Sequence, residues 1–270
     1  MCPVTTNVVP ARVGRWVWLV VLVVGIVLFE LVRRTLVATQ NPNFLPSLIL
    51  LGAAVVPAAF LTFVASRRLP TDLGAGAIAI TALLGGVLGT VVAGTLEYDA
   101  LQRLGALPML AVAVIEEAAK LLVPATILAL PRYRRGPANG LVLGVASGAG
   151  FAALETMGYA VTVLVKTRGD IAAVDGELVL RGLLSPAAHM AWTGLTAAAL
   201  WYAAWGRSVR GVGWFVLVYL VAVALHTVWD SVGGVLVYVV LALVAFTLLL
   251  LTARRLARTS LPSGRAGTSG

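Results

Sequence analysis

Charge is scarce in this chain. Of its 270 residues, 11% are Asp, Glu, Lys or Arg against 60% hydrophobic, and the mean hydropathy is +0.98. That leaves too little polar surface to cover a water-soluble globule of this size, and excludes one. Cysteine is nearly absent as well: Cys2 stands alone, so no internal disulfide forms, and no acylation pattern surrounds it. Histidine occurs twice, at positions 189 and 226. Acidic residues are outnumbered 11 to 20, a formal charge of +9. The basic residues lie between apolar runs rather than in one patch, which encodes membrane topology and speaks against nucleic acid as a partner.

Long apolar runs are what the chain has in abundance. They predict an all-α, polytopic transmembrane helix bundle of about eight spans, near 16–36, 45–65, 74–96, 107–130, 140–165, 184–205, 212–231 and 234–252. The first run is long enough to stay as a helix rather than serve as a cleaved leader. Residues 1–252 read as one integral membrane domain, with its motif-bearing core at 107–232. Residues 253–270, basic and then rich in Gly and Ser, read as a disordered tail. Thirteen arginines fall on the connections that share a side with the amino terminus, and six basic residues fall on the other. Both termini are therefore expected in the cytoplasm. Gly140, Gly144 and Gly148 repeat at intervals of four, marking a helix face that a neighbouring backbone approaches closely; Gly85, Gly86 and Gly89 mark another.

A few charged or titratable residues lie inside the spans: Glu116, Glu117 and Lys120, Glu155, His189, and His226 with Asp230. Each is disfavoured in a bilayer by roughly 2.5–3.5 kcal/mol when central and charged, so seven on four consecutive spans call for a mutual explanation. Counted from the outer end of each span, Glu116 and Glu117 lie roughly 13–15 Å deep, Glu155 roughly 15 Å, and His189 and His226 roughly 7–8 Å. A shared site in the outer half is the expectation. Glu116 and Lys120 are four apart, as are His226 and Asp230, so each pair projects from one helix face. Glu117 lies about 100° round from Glu116, so one carboxylate can pair with Lys120 while the other faces a cavity. Ser185 and Pro186 read as the N-cap and first turn of the sixth span, which puts His189 one turn in.

With neutral histidines, four carboxylates face one ammonium. Protonation or a bound divalent cation would neutralise the excess. Two histidines with carboxylates suit zinc, with Glu155, His189, His226 and Asp230 as candidate ligands, although HExxH spacing is absent. A metal-free site remains equally open at this level. So do two other classes, a proton- or cation-coupled transporter and a non-catalytic scaffold that binds a partner helix.

Four segments in order, EEAAK (Glu116 to Lys120), GFAALET (Gly150 to Thr156), AAHMAWTG around His189 and HTVWD (His226 to Asp230), resemble the motifs of the PrsW family of intramembrane proteases. That family is similar to the group containing the CAAX prenyl endopeptidases and bacteriocin-processing enzymes. The resemblance implies an intramembrane endopeptidase, glutamic or metallo in type, of a bacterial plasma membrane. It implies Glu116, Glu117, Glu155, His189, His226 and Asp230 as catalytic residues, supported by Lys120 and Phe151. Glu116 or Glu117 would act as general base on a water, and zinc, another divalent cation or no metal would assist. A single-span membrane protein or peptide would be the substrate. Thr156 departs from the pattern, standing where the family usually has Asn.

Overall fold

A computed structural model describes residues 14–67 and 69–258; Cys2, Arg12, Arg68, Arg265 and residues 259–270 lie outside the described residues. Every regular element among the described residues is helical. Helix α1 is Val17–Thr39, followed by a 3₁₀ turn Pro42–Phe44; α2 is Leu45–Ala65, α3 Ala75–Leu104, α4 Met109–Lys120 and α5 Leu122–Ala129. Then come α6 Pro137–Lys166, α7 Ile171–Ser185, a π-turn Pro186–Met190, α8 Ala191–Gly206, α9 Val209–Ser231 and α10 Val235–Arg258. The 3₁₀ turn with α2, and α3, α6, α9 and α10, make five helices long and apolar enough to cross a membrane. Leucine side chains such as Leu50, Leu83, Leu217 and Leu236 point outward on several of these helices, a surface suited to lipid and not to water.

Three expectations need correction. The fourth apolar run is not one helix, because it breaks at Leu121 between α4 and α5. Pro124 causes the break: it has no N–H to give the Lys120 carbonyl, and that buried acceptor is served instead by the Ser147 hydroxyl at 2.7 Å. The connection before the sixth span is helical too, since α7 occupies it, so Ser185 ends a helix rather than capping the start of one. Charges at Asp175, Glu177 and Arg181 hide the apolar positions Val174 and Leu178, both buried on α7. Finally, α10 runs to Arg258, so residues 253–258 are helix, not tail.

Helix α6 is the axis of the bundle. It is buried along most of its length, whereas α2, α3, α9 and α10 expose more of theirs, and it packs chiefly on α8 and α3. The two glycine faces explain both contacts. A methyl group on Gly86 would come within 2.6 Å of the Gly150 backbone, so α3 and α6 cross nearly backbone to backbone. On the opposite side Gly140, Gly144 and Gly148 meet Trp201, Gly194 and the π-turn in turn. Gly148 sits directly beneath the turn that carries His189, and an added Cβ there would lie 2.8 Å from the His189 carbonyl oxygen. Gly148→Ala is therefore expected to destabilise the protein by about 1–3 kcal/mol through overpacking. Gly76→Ala, with nothing within 4 Å, should be neutral or slightly stabilising. Thermal midpoints of the two variants in detergent check the contrast; a harmless Gly148→Ala would contradict this packing.

Candidate active site

Four elements deliver the polar residues to one place. From α4 come Glu116, Glu117 and Lys120, from α6 Glu155, from the π-turn His189, and from α9 His226 and Asp230. Lys120 is wholly buried, and its ammonium makes a hydrogen bond to Glu117 Oε1 at 2.9 Å and lies 3.2 Å from Glu116 Oε2. The pairing expected from spacing alone, Glu116 with Lys120, is thus shared, and the closer partner is Glu117. Lys120 Nζ also lies 2.9 Å from His189 Nδ1 and 4.3 Å from the centre of the Phe151 ring. Phe151 thereby closes the apolar side of the ammonium.

His226 is fixed in the same way from the other side. Its Nδ1 stands 2.9 Å from Glu117 Oε1, and that carboxylate oxygen can only accept, so Nδ1 carries the hydrogen. This leaves Nε2 turned toward Glu116 Oε2 at 3.5 Å and Asp230 Oδ2 at 3.2 Å. The His189 ring stands edge-on to that of His226, with centres 5.2 Å apart. His189 Nε2 is 3.3 Å from Glu155 Oε2, yet neither atom makes a hydrogen bond.

The two adjacent glutamates diverge only in part: both reach Lys120, and Glu116 also lines the cavity. Glu117 is 1% exposed and shares Oε1 between Lys120 and His226. Glu116 lines a cavity of about 430 Å³ together with Glu155, Asp230, Trp229, Tyr159 and Tyr238. Thr156 is buried on α6, next to Glu155.

Residues that sequence reasoning passed over also line this cavity. Glu97 is on α3, beyond the predicted end of the third span, and Glu177 and Arg181 are on α7. Arg181 Nη2 lies 2.8 Å from Glu155 Oε1, so a second cation joins Lys120, while Glu97 and Glu177 raise the carboxylates from four to six. The sequence held no periodic signal for Arg181, which stands eight residues before His189. A regular helix would set such residues about 80° apart, but a π-turn absorbs one residue and brings them to within about 20°.

As a test of whether a cation suits this set, Glu116, His189 and His226 each offer one ligand atom, all within 4.8 Å of one another and all from buried residues. Glu116 Oε2, Glu155 Oε2 and His189 Nε2 are buried polar atoms without a hydrogen bond, and such atoms are costly unless something satisfies them. Mixed imidazole and carboxylate donors are the set that zinc takes. Donor type and spacing fit, and because the Lys120 ammonium can only donate to His189 Nδ1, Nε2 carries the hydrogen of the neutral ring here and would release it on taking a cation.

Comparison with known proteins agrees with the geometry. A family model described as PrsW family intramembrane metalloprotease matches residues 71–252, more than half of the chain. The chain belongs to this family. No curated protein and no solved structure matches it significantly. The matched stretch begins just before α3, includes all four motif segments and ends within α10. As a PrsW-family protein it is a membrane protease, and the family's description as metalloprotease accords with the Glu116, His189 and His226 set.

Proposed function

We propose that this PrsW-family protein hydrolyses a peptide bond of a single-span membrane protein in the cavity between α4, α6, α7 and α9, at a centre where Glu116, His189 and His226 hold one divalent cation, zinc by donor type. The observation that carries this is the convergence of three buried ligand residues from three separate elements within 4.8 Å. Bound there, the ion supplies a water of lowered pKa and polarises the scissile carbonyl.

The chain's own residues supply the rest. Glu155 Oε2, unbonded and beside His189, accepts the proton of the attacking water and returns it to the departing amine. Glu117 holds the His226 ring through Nδ1 and so keeps Nε2 toward the cavity. Asp230, the exposed member of the set, flanks the same nitrogen and orients the water or the substrate N–H. Lys120 neutralises Glu116 and Glu117 from the buried side. The cavity's apolar lining, Met109, Leu180 and Leu184, suits a side chain from a membrane segment. The distribution of arginines supports a topology with both termini in the cytoplasm and the cavity near the outer face.

The test uses purified protein in proteoliposomes with a panel of single-span membrane proteins. Cleavage of at least one is expected, abolished by chelation and restored by zinc. Cleavage that persists after the metal has been stripped would remove the cation from the mechanism. No cleavage of any panel member by the zinc-loaded protein, with the same result in native membranes, would overturn the hydrolytic reading.

A further inference from the structure

The cation set leaves Glu97, Glu177 and Arg181 of the cavity without a role, and of these it is Arg181 that pairs with a residue of the centre. Arg181 reaches the centre from α7, and its side chain is 13% exposed. Its guanidinium lies over the Tyr159 ring, 3.8 Å from the ring centre, which fixes the plane of the fork. One nitrogen, Nη2, stands 2.8 Å from Glu155 Oε1 as an ion pair and Nε lies 4.0 Å from Glu177 Oε1, and neither nitrogen has the geometry of a hydrogen bond. The other oxygen of Glu155 is the one that faces His189 Nε2 at 3.3 Å. The order in space is therefore Tyr159, Arg181, Glu155, His189.

We propose that Arg181 is a positioning residue of this centre: through Nη2 it fixes the Glu155 carboxylate so that Oε2 faces His189 and the cation held there. This rests on Glu116, His189 and His226 being the cation set. A plain electrostatic role for Arg181 makes the opposite forecast. A guanidinium near a divalent cation repels it, so removing the charge alone would tighten cation binding. If Arg181 acts by aiming Glu155, removing it loosens binding even though the site becomes more negative, because Oε2 then no longer stands beside the His189 ring, and loss of a carboxylate partner of a metal ligand costs about 10- to 100-fold in affinity.

Zinc affinity of the full chain in detergent, measured by competition with a chromophoric chelator, separates the two without any substrate. Arg181→Met and Arg181→Lys are each expected to weaken zinc binding about tenfold. Lysine keeps the charge but not the planar fork. In a Glu155→Gln background the Arg181→Lys change is expected to do nothing further, the mark of a residue acting through Glu155. Thermal midpoints accompany each measurement, and Tyr159→Leu, which frees the guanidinium plane without touching charge, provides a second route to the same loss. Unchanged affinity in Arg181→Lys, tighter binding in Arg181→Met, or an undiminished effect in the Glu155→Gln background overturns the proposal and leaves the cation set standing. A wild-type chain that binds no zinc overturns both.

Discussion

Replacing Lys120 by methionine is expected to destabilise the folded protein by about 3–5 kcal/mol, the range for removing one partner of a buried ion pair. Methionine keeps most of the stem's volume, so little of the loss comes from a cavity. What goes is the ammonium that bonds Glu117 Oε1 at 2.9 Å and lies 3.2 Å from Glu116. Glu117, almost wholly buried, is then left with His226 as its one remaining partner of the described contacts. His189 Nδ1 loses its neighbour at 2.9 Å as well. Thermal denaturation in detergent should show a large fall, most of it recovered when Glu117→Gln is added, because the second change removes the stranded charge. A Lys120→Met protein that melts with wild type would mean the ammonium does not neutralise this cluster.

The second large effect concerns the reaction. Glu155→Gln is expected to lower the rate of cleavage by about 10²- to 10⁴-fold, the usual contribution of a positioned proton acceptor. The amide has the carboxylate's shape but cannot take a proton from water. At saturating zinc the variant should still bind one ion, since Glu116, His189 and His226 remain. His226→Ala should lose both, because it removes a ligand and frees Glu117 from its imidazole partner. Equal cleavage by Glu155→Gln and wild type would move the proton acceptor elsewhere in the cavity. Retention of zinc by His226→Ala would remove that ring from the cation set.

Much of this centre was legible from composition and spacing. In an apolar chain each buried charge is expensive, so Glu116, Glu117, Lys120, Glu155, His189, His226 and Asp230 announced themselves. The helical angle between Glu116 and Glu117 set the two carboxylates apart, but spacing paired Glu116 with Lys120, whereas Glu117 is the closer and more buried partner and Glu116 lines the cavity. The glycine spacing at Gly140, Gly144 and Gly148 anticipated the close approach of α8 and the π-turn to α6. What stayed hidden came from tertiary context. Arg181 has the charge of a loop residue and sits among other charges, and only the packing of α7 on α2 and α6 makes it part of the centre. The break at Leu121 follows from Pro124, but Ser147, which satisfies the freed carbonyl, lies 27 residues away in sequence. The π-turn at Pro186–Met190 leaves no periodic signature, because one absorbed residue looks like an irregular stretch.

Metal content is the most direct measure of whether three elements meet to hold one ion. The purified chain, dialysed against zinc and then against metal-free buffer, is expected to retain one zinc per molecule. Glu116→Gln, His189→Ala and His226→Ala should each reduce this to near none while Gly76→Ala retains it. Zinc retained by all three variants, or a wild-type chain that retains none, would contradict a cation centre built from α4, the π-turn and α9.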